Sequence, residues 1–579
     1  VTIGSEDCLF LNIWAPADAA PGKNYPVMFF IHGGAFIFGS ASDGAILVNP
    51  DGNVTFKQDG SMYDGTNFAL QDVILVSINY RLGALGFLNW SPFGKAIGKS
   101  IGSIKGNFGI ADQILAMKWV EDNIERFGGD KSKITIFGES AGAMSVGLLN
   151  FSSPEANGIM SAAIMESNPM GVLYENGDVD KGRPHGQAEA EAFFASICGK
   201  GKNAAECALY IIGSFVGTLS LDEIMKAQTK AELASVALFV DKNKTKWTNV
   251  LPFIPIVGTT NSAPDGFDLI AQQPLDGYKI DSSNKLAAGF SAKPMMYGTN
   301  RDEGDLFINM ILKGNIITTG IYEGMLGALF KNPTNQLEAL EEIESEQVTG
   351  FGATKTLNPY CPGKTKLATT RHAKYCQDTE ATPGFLKKSP ANALSNVASD
   401  YIFRCANHNT GQNVANKTAA PVYSYTFTNQ PVLSVFGSPE DGNPCNSFDP
   451  DANLGGIAVC HGYELPFVFD TIETAFTPQA LRDKSDSDYV AFTKVYNNAL
   501  ILADHMNKDW ASFAKDPAAF SPSTGGGRIL PSGSGGTDKE KLFIAYGNQE
   551  PWPNSAKVGL VDAEQCGSLW FKTAVPVRP

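Results

Sequence analysis

Residues Ile134-Thr135-Ile136-Phe137-Gly138-Glu139-Ser140-Ala141-Gly142-Ala143-Met144-Ser145-Val146 decide how this chain is read. A short β-branched, apolar run passes straight into Gly-Glu-Ser-Ala-Gly and out into small residues, the strand-turn-helix setting that a G-x-S-x-G nucleophile elbow requires. With 59 glycines in 579 residues, five letters of this form arise by chance roughly 0.4 times. The context, not the pattern, makes Ser140 a candidate nucleophile. A turn this sharp strains the serine backbone, and a Cβ two residues either side of it is expected to strike the neighbouring strand or helix. The hydroxyl then stands at a helix N-terminus, where backbone N–H groups favour a developing negative charge.

The surroundings read as alternating strands and helices. Val27–Ile31 is apolar throughout, as a strand buried on both faces should be, and runs into His32-Gly33-Gly34-Ala35-Phe36. A Gly-Gly pair at a strand end lets backbone N–H groups point into a pocket; the plain alternative is a tight turn. A second such strand, Val73–Ile78, precedes a helical pattern from Gly109 to Phe127, in which Ile110, Ile114, Met117, Ile124 and Phe127 recur at helical spacing before Gly128-Gly129. Strand, helix and strand in this order predict a parallel sheet. Further strands are expected at Ser5–Trp14, Ala162–Ser167, Lys293–Thr299, Pro421–Phe427 and Leu542–Tyr546, with helical pattern from about 306 to 348. The stretch 41–62 reads as an extended surface loop, 180–290 as helices and loops covering a site, and 521–536 as a flexible surface segment.

A serine nucleophile needs a base, and the base a carboxylate. Six histidines are available: His32, His185, His372, His408, His461 and His505. On a strand-turn-helix scaffold of this kind the order is serine, acid, histidine, which removes His32. His461, on a Gly-flanked loop after a late strand, is the best of the rest; His505 lies in a helical pattern, and the others sit in loops or beside cysteines, as surface histidines do. The acid is one of Asp302, Glu303 and Asp305, and the residues alone do not separate them.

Composition bounds the rest. A net charge of −15 argues against nucleic acid and against an anionic membrane surface, and no run of about 18 apolar residues is present. Nine cysteines show no CxxC spacing, so no metal is expected, and the close pairs 198/207, 361/376 and 445/460 look like local disulfide loops. Sequons at Asn53, Asn89, Asn150, Asn243 and Asn416 add to a secretory reading. Val1-Thr-Ile-Gly-Ser5 is neither a signal peptide nor a Met start, which suggests that a longer precursor precedes it.

Taken together, SEDCLFLNIW (5–14), HGGAF (32–36), NYRLGALGFL (79–88), GNFGIADQILAMKWVEDNIERFGGD (106–130), ITIFGESAG (134–142), GTNRDEG (298–304) and CHGYELPFVF (460–469) resemble the type-B carboxylesterase/lipase family, which includes cholinesterases and fungal lipases. The likeness runs from residue 5 to about 570. It implies an α/β-hydrolase fold: one domain over 1–579, N-terminally incomplete, with a large, mostly parallel sheet carrying helices on both faces. It implies a serine hydrolase of carboxylic esters needing no cofactor, with Ser140 as nucleophile, Glu303 as acid, His461 as base, and the N–H groups of Gly33, Gly34 and Ala141 as oxyanion donors. It further implies a Glu6–Arg81 salt bridge, disulfides Cys198–Cys207 and Cys405–Cys566, and a Cys8 whose partner lies upstream with the lid-bearing loop. Two departures bear on the pocket: Glu166-Ser167-Asn168 stands where the family has Gln-Ser-Gly, and the 41–62 insert is longer than usual. Partners are then an ester substrate, small or lipid, with no nucleic acid and no transmembrane segment; localisation is secretory and the oligomeric state is open. The competing readings are a lipase or sterol esterase acting on long-chain esters and, in another class, a catalytically silent adhesion or storage protein.

Overall fold

The computed structural model describes residues 5–43, 46–48, 54–56, 62–88, 106–172, 174, 187–198, 220–240, 295–312, 346–350, 353–357, 390–429, 459–475, 486–521 and 544–546, with scattered positions between 251 and 294. Its strands are β1 (Leu11–Trp14), β2 (Tyr25–Ile31), β3 (Ile46–Val48), β4 (Val54–Phe56), β5 (Ile74–Ile78), β6 (Gly129–Glu139), β7 (Ala162–Glu166), β8 (Met295–Asn300), β9 (Glu346–Gly350), β10 (Ala353–Leu357), β11 (Val422–Phe427) and β12 (Ile544–Tyr546). Eight of them form one sheet in the order β1-β5-β2-β6-β7-β8-β11-β12. Among the described residues only the β1–β5 pairing of this sheet is antiparallel, and its other pairings are parallel. This is the α/β-hydrolase architecture.

Successive strand side chains point to opposite faces, and here both faces are covered. Val27, Phe29 and Ile31 join Ile134 and Ile136 in a core shared with Ile110, Ile114 and Met117 of helix Phe108–Asn123 and Val146 and Leu148 of helix Ala141–Ser152. Met28, Phe30 and Phe137 face the other way, onto Ala503, Met506 and Trp510 of helix Asp486–Lys515. Burial on both sides explains why these strands read as unbroken apolar runs rather than alternating ones.

Several expectations need adjusting. The first strand is confined to Leu11–Trp14, and Leu9 and Phe10 before it are exposed. The 41–62 stretch is not all loop, since β3 and β4 pair there as an antiparallel hairpin. The helix from Phe108 stops at Asn123, a 3-10 turn continues it to Phe127, and Gly128 closes the element with φ +86°. Phe127 does not reach the core; it is exposed and packs on Trp119. The helical pattern after 306 is a helix over Glu303–Leu312 and gives way to strand by Glu346; residues 313–345 lie outside the described residues. Arg81 forks onto Asp112, at 2.8 and 2.9 Å, while Glu6 is exposed. Asp112 lies on the neighbouring helix and already accepts the Arg81 backbone N–H at 3.0 Å, so the guanidinium completes an existing contact. Asn150 is fully buried, its side-chain oxygen accepting from Tyr278 and Asn157, which leaves no room for a glycan; Asn416 is exposed. Asn53, Asn89, Asn243, Cys207, Cys361, Cys376, Cys445, Cys566 and residues 522–536 fall outside the described residues.

Candidate active site

Strand register builds the site. Ile31 of β2 pairs with Gly138 of β6, so the residues that follow, His32-Gly33 and Glu139-Ser140, run side by side past the end of that pairing. On the other flank Glu139 pairs with Glu166 of β7, and Asn300 of β8 pairs with Phe427 of β11. All these strands are parallel, so their carboxyl ends open into one crevice, the place where open α/β sheets take ligands.

Ser140 turns this corner with φ 57° and ψ −121°, and its N–H donates to Glu166 O at 3.1 Å. A non-glycine residue held there stores strain. The turn is that tight because the following helix lies against β2: a Cβ at Gly142 would stand 1.9 Å from the Ile31 carbonyl oxygen. Ala35, Phe36 and Ser167, just past the ends of the neighbouring strands, also take left-handed φ, as do Asn24, Asp72 and Asp470 elsewhere.

Gly33 faces Ser140 across the crevice, and a Cβ there would lie 3.1 Å from Ser140 Cβ and 2.7 Å from Glu139 Oε2. Among the described residues no backbone hydrogen bond engages the N–H of Gly33, Gly34 or Ala141, and Ser140 does not cap the helix that starts at Ala141. Such orphan donors beside a helix N-terminus suit an anion.

The histidine arrives from a distant loop. His461 Nδ1 lies 2.7 Å from Glu303 Oε2, with both side chains buried. Glu303 is fixed in turn, its Oε1 accepting the Asn300 N–H at 2.6 Å. The imidazole is flanked by Phe307 and Phe403, with ring centroids 4.9 and 5.1 Å away. Its Nε2 is 3.2 Å from Glu139 Oε1, yet neither atom makes a hydrogen bond among the described residues. Among the described residues no hydrogen bond joins His461 to the Ser140 hydroxyl. Asp302 and Asp305, the other two candidate acids, point elsewhere: Asp302 to Val459, Asp305 to Ser395.

The electrostatics are those of a buried cation facing several acids. Burial alone would lower the His461 pKa, but Glu139, Glu303 and Glu464 outweigh it and raise the group to about 9. Burial pushes Glu139 up to about 8 against the pull of His461. Glu464, which accepts hydrogen bonds from Ser167 and Asn300, is likewise raised by burial and by Glu303. Glu166 is raised well above the usual carboxylate range by burial; Trp510 Nε1 donates to it at 2.5 Å. Of this ring of acids, the sequence singled out Glu303 for a role. Glu139 and Glu166 end adjacent strands, and that position is the signal that could have marked them.

The serine opens into a cavity lined by Ala35, Ala141, Met144, Pro169, Val172, Leu251, Phe307, Ile402 and Phe403. Apart from Ser140 the lining side chains are all apolar. Of the remaining histidines, His32 is buried and stacked on Tyr80, His408 is buried rather than superficial, and His505 is exposed; His185 and His372 lie outside the described residues.

The model of the carboxylesterase family matches residues 1–518. The chain belongs to the carboxylesterase family. It is 30% identical over 521 residues to a protein of Dictyostelium discoideum named crystal protein, covering 90% of this chain and 72% of that one. It is 44% identical over 292 residues to the bile salt-activated lipase of Mus musculus, covering 50% of this chain and 41% of the lipase. A solved structure of a PNB esterase superposes with a TM-score of 0.56 at 23% identity, over 94% of this carboxylesterase-family chain and 82% of the other. Among the described residues no helix is long and apolar enough to cross a membrane.

Proposed function

We propose that this protein hydrolyses carboxylic esters through an acyl-enzyme on Ser140. The observation that carries the reading is the buried 2.7 Å contact between Glu303 and His461 Nδ1, which leaves Nε2, beside Glu139 of the serine elbow, without a hydrogen bond among the described residues. A neutral imidazole that donates from Nδ1 presents its lone pair at Nε2. That lone pair takes the Ser140 proton as Oγ attacks the ester carbonyl, and the N–H groups of Gly33, Gly34 and Ala141 receive the oxyanion. His461 must turn from Glu139 towards Ser140 to do so, since catalytic hydrogen bonds are often long in the free enzyme and tighten in the complex. The imidazolium then protonates the departing alcohol, and water repeats the sequence to free the acid. Glu303 holds the tautomer and balances the cation throughout. No step calls for a cofactor.

The apolar lining favours an unsubstituted acyl group over a charged or hydroxylated one, because nothing there replaces lost hydration. The bile salt-activated lipase among the relatives keeps a long-chain ester in view, and a series of p-nitrophenyl esters of rising chain length separates the two. Cys198, Cys405 and Cys460 are disulfide-bonded, which supports a secretory protein, and we read the chain as one hydrolase domain. A fluorophosphonate probe should label the wild type and not Ser140→Ala, and Ser140→Ala should fold yet lose turnover. Full ester hydrolysis by that variant would sink the assignment. A wild type that neither labels nor turns over would instead favour a silent member, a reading that the crystal-protein relative keeps open.

A further inference from the structure

Three acids leave the end of β8 together, and the structure gives each its own partner. Glu303 meets His461, Asp305 accepts the Ser395 hydroxyl, and Asp302 turns to the segment that leads into His461. The Asp302 N–H donates to Val459 O at 2.9 Å, and the Val459 N–H donates to Asp302 Oδ2 at 2.8 Å. Two residues back, Asn300 Nδ2 donates to Cys460 O at 2.8 Å. Both residues preceding His461 are therefore pinned to the strand end that carries its carboxylate.

We propose that Asp302 is a positioning residue, which sets the register of the 459–461 segment and so holds His461 on Glu303. The inference rests on the esterase reading for its kinetic consequences, though not for its geometry. His461 belongs to a turn, not to a helix or strand, and no ladder fixes its place along the chain. Phe307 and Phe403 on its flanks constrain the plane of the ring, but dispersion contacts are non-directional and let it slide. The reciprocal pair at Asp302 supplies the missing direction. It is rooted in the sheet: Arg301 grips the Asp302 carboxylate at 2.8 to 3.1 Å, its own N–H donates to Phe427 O at the end of β11, and its carbonyl accepts from Arg404 at 3.1 Å. Strand end, clamp and acid thus lie within the four residues 300–303, so a movement of one carries the others and the 2.7 Å contact is preserved.

The test uses the full chain with Asp302→Ala, Asp302→Asn and Asp302→Glu. Removing the acceptor should cost kcat roughly 10- to 100-fold, because misplacement of about 1 Å has that price in positioned catalysis. KM should stay near the wild-type value, since Asp302 is not among the residues lining the cavity. Asp302→Asn keeps an oxygen for the Val459 N–H and should recover most of the rate. Should Asp302→Ala not fold, Asp302→Glu keeps the charge while displacing the acceptor by a methylene, and should lower kcat with KM held. A readout independent of turnover is the far-downfield proton resonance of the Nδ1–H shared with Glu303, which should broaden or move in Asp302→Ala and persist in Asp302→Asn. If the wild type proves inactive, that resonance still decides the clamp. Wild-type kcat and resonance in Asp302→Ala, or in Asp302→Glu where alanine does not fold, would overturn the proposal; so would an Asn variant as damaged as the Ala one.

Discussion

Replacing Glu303 with glutamine changes one oxygen to an NH2 and leaves the volume alone, so it probes the hydrogen bond and little else. In the native site Oε1 accepts the Asn300 N–H at 2.6 Å and Oε2 faces His461 Nδ1 at 2.7 Å, so both oxygens act as acceptors. An amide has one acceptor end. Asn300 offers a backbone donor that cannot turn away, and the amide oxygen settles there. The NH2 is then left facing Nδ1, which must become an acceptor, so the ring proton moves to Nε2. The base now carries its proton on the atom that has to receive one. An exchange of this kind in a serine protease triad lowers kcat by about 10⁴, equivalent to ~5 kcal/mol of transition-state stabilisation. We expect a fall of about 10³- to 10⁴-fold in kcat for a p-nitrophenyl ester, with KM little altered because Glu303 does not line the cavity. Labelling of Ser140 by a fluorophosphonate should slow in proportion. A Glu303→Gln enzyme with kcat within a few-fold of wild type would refute the role given to that carboxylate.

Two further outcomes follow from the same geometry. His461 is raised to about 9, and Glu139 is the largest of the charges raising it, so kcat/KM should climb into the alkaline range as the imidazole loses its proton. Glu139→Gln removes that attraction and should move the limb to lower pH; a limb that stays or moves up would contradict the electrostatic reading. Gly142→Ala places a Cβ 1.9 Å from the Ile31 carbonyl oxygen, a contact that backbone on both sides cannot relieve. A loss of about 3 kcal/mol or more is expected from such overpacking, read as a lower denaturant midpoint, and an unchanged midpoint would show that the elbow is looser than described.

How much of this the sequence carries depends on whether a residue's job is local. Ser140, Gly33 and Gly34 lie within three residues of the end of an apolar run, and strand ends are visible as changes from apolar runs to glycine and polar residues. Of the acids, residue chemistry alone offers Asp302, Glu303 and Asp305 equally, because separating them needs to know which way each side chain leaves one turn. That direction comes from β11 and the 459–464 turn, more than a hundred residues further on. Arg81 shows the opposite failure: it chooses Asp112 over Glu6 because the Asp112 helix packs where the chain emerges from β5, a tertiary fact with no sequence period. The cavity wall is the least legible part. Val172, Leu251, Phe307 and the pair Ile402-Phe403 come from four separate stretches and share only apolar character, which core residues share too.

The buried acids around His461 explain why that division matters for the chemistry. Glu139, Glu303 and Glu464 all act on one imidazole in a space from which water is largely excluded. Like charges so placed cannot all ionise, and the raised values of Glu139 and Glu464 mean that protons are held within the cluster near neutrality. Hydrogen bonds sort the group: Glu303 accepts from Asn300 N–H and meets Nδ1, Glu464 accepts from Ser167 and Asn300, and Glu139 Oε1, beside Nε2, has no hydrogen bond among the described residues. Charge that is already arranged costs no reorganisation when the imidazolium forms. The arrangement is set by which residues end β6, β7 and β8, together with the turn that brings His461 and Glu464. Cavity shape can therefore change through the helices and loops that wall it while the proton-handling groups stay at the strand ends and on the 459–464 turn, and in the proposed mechanism substrate choice is separable from proton transfer.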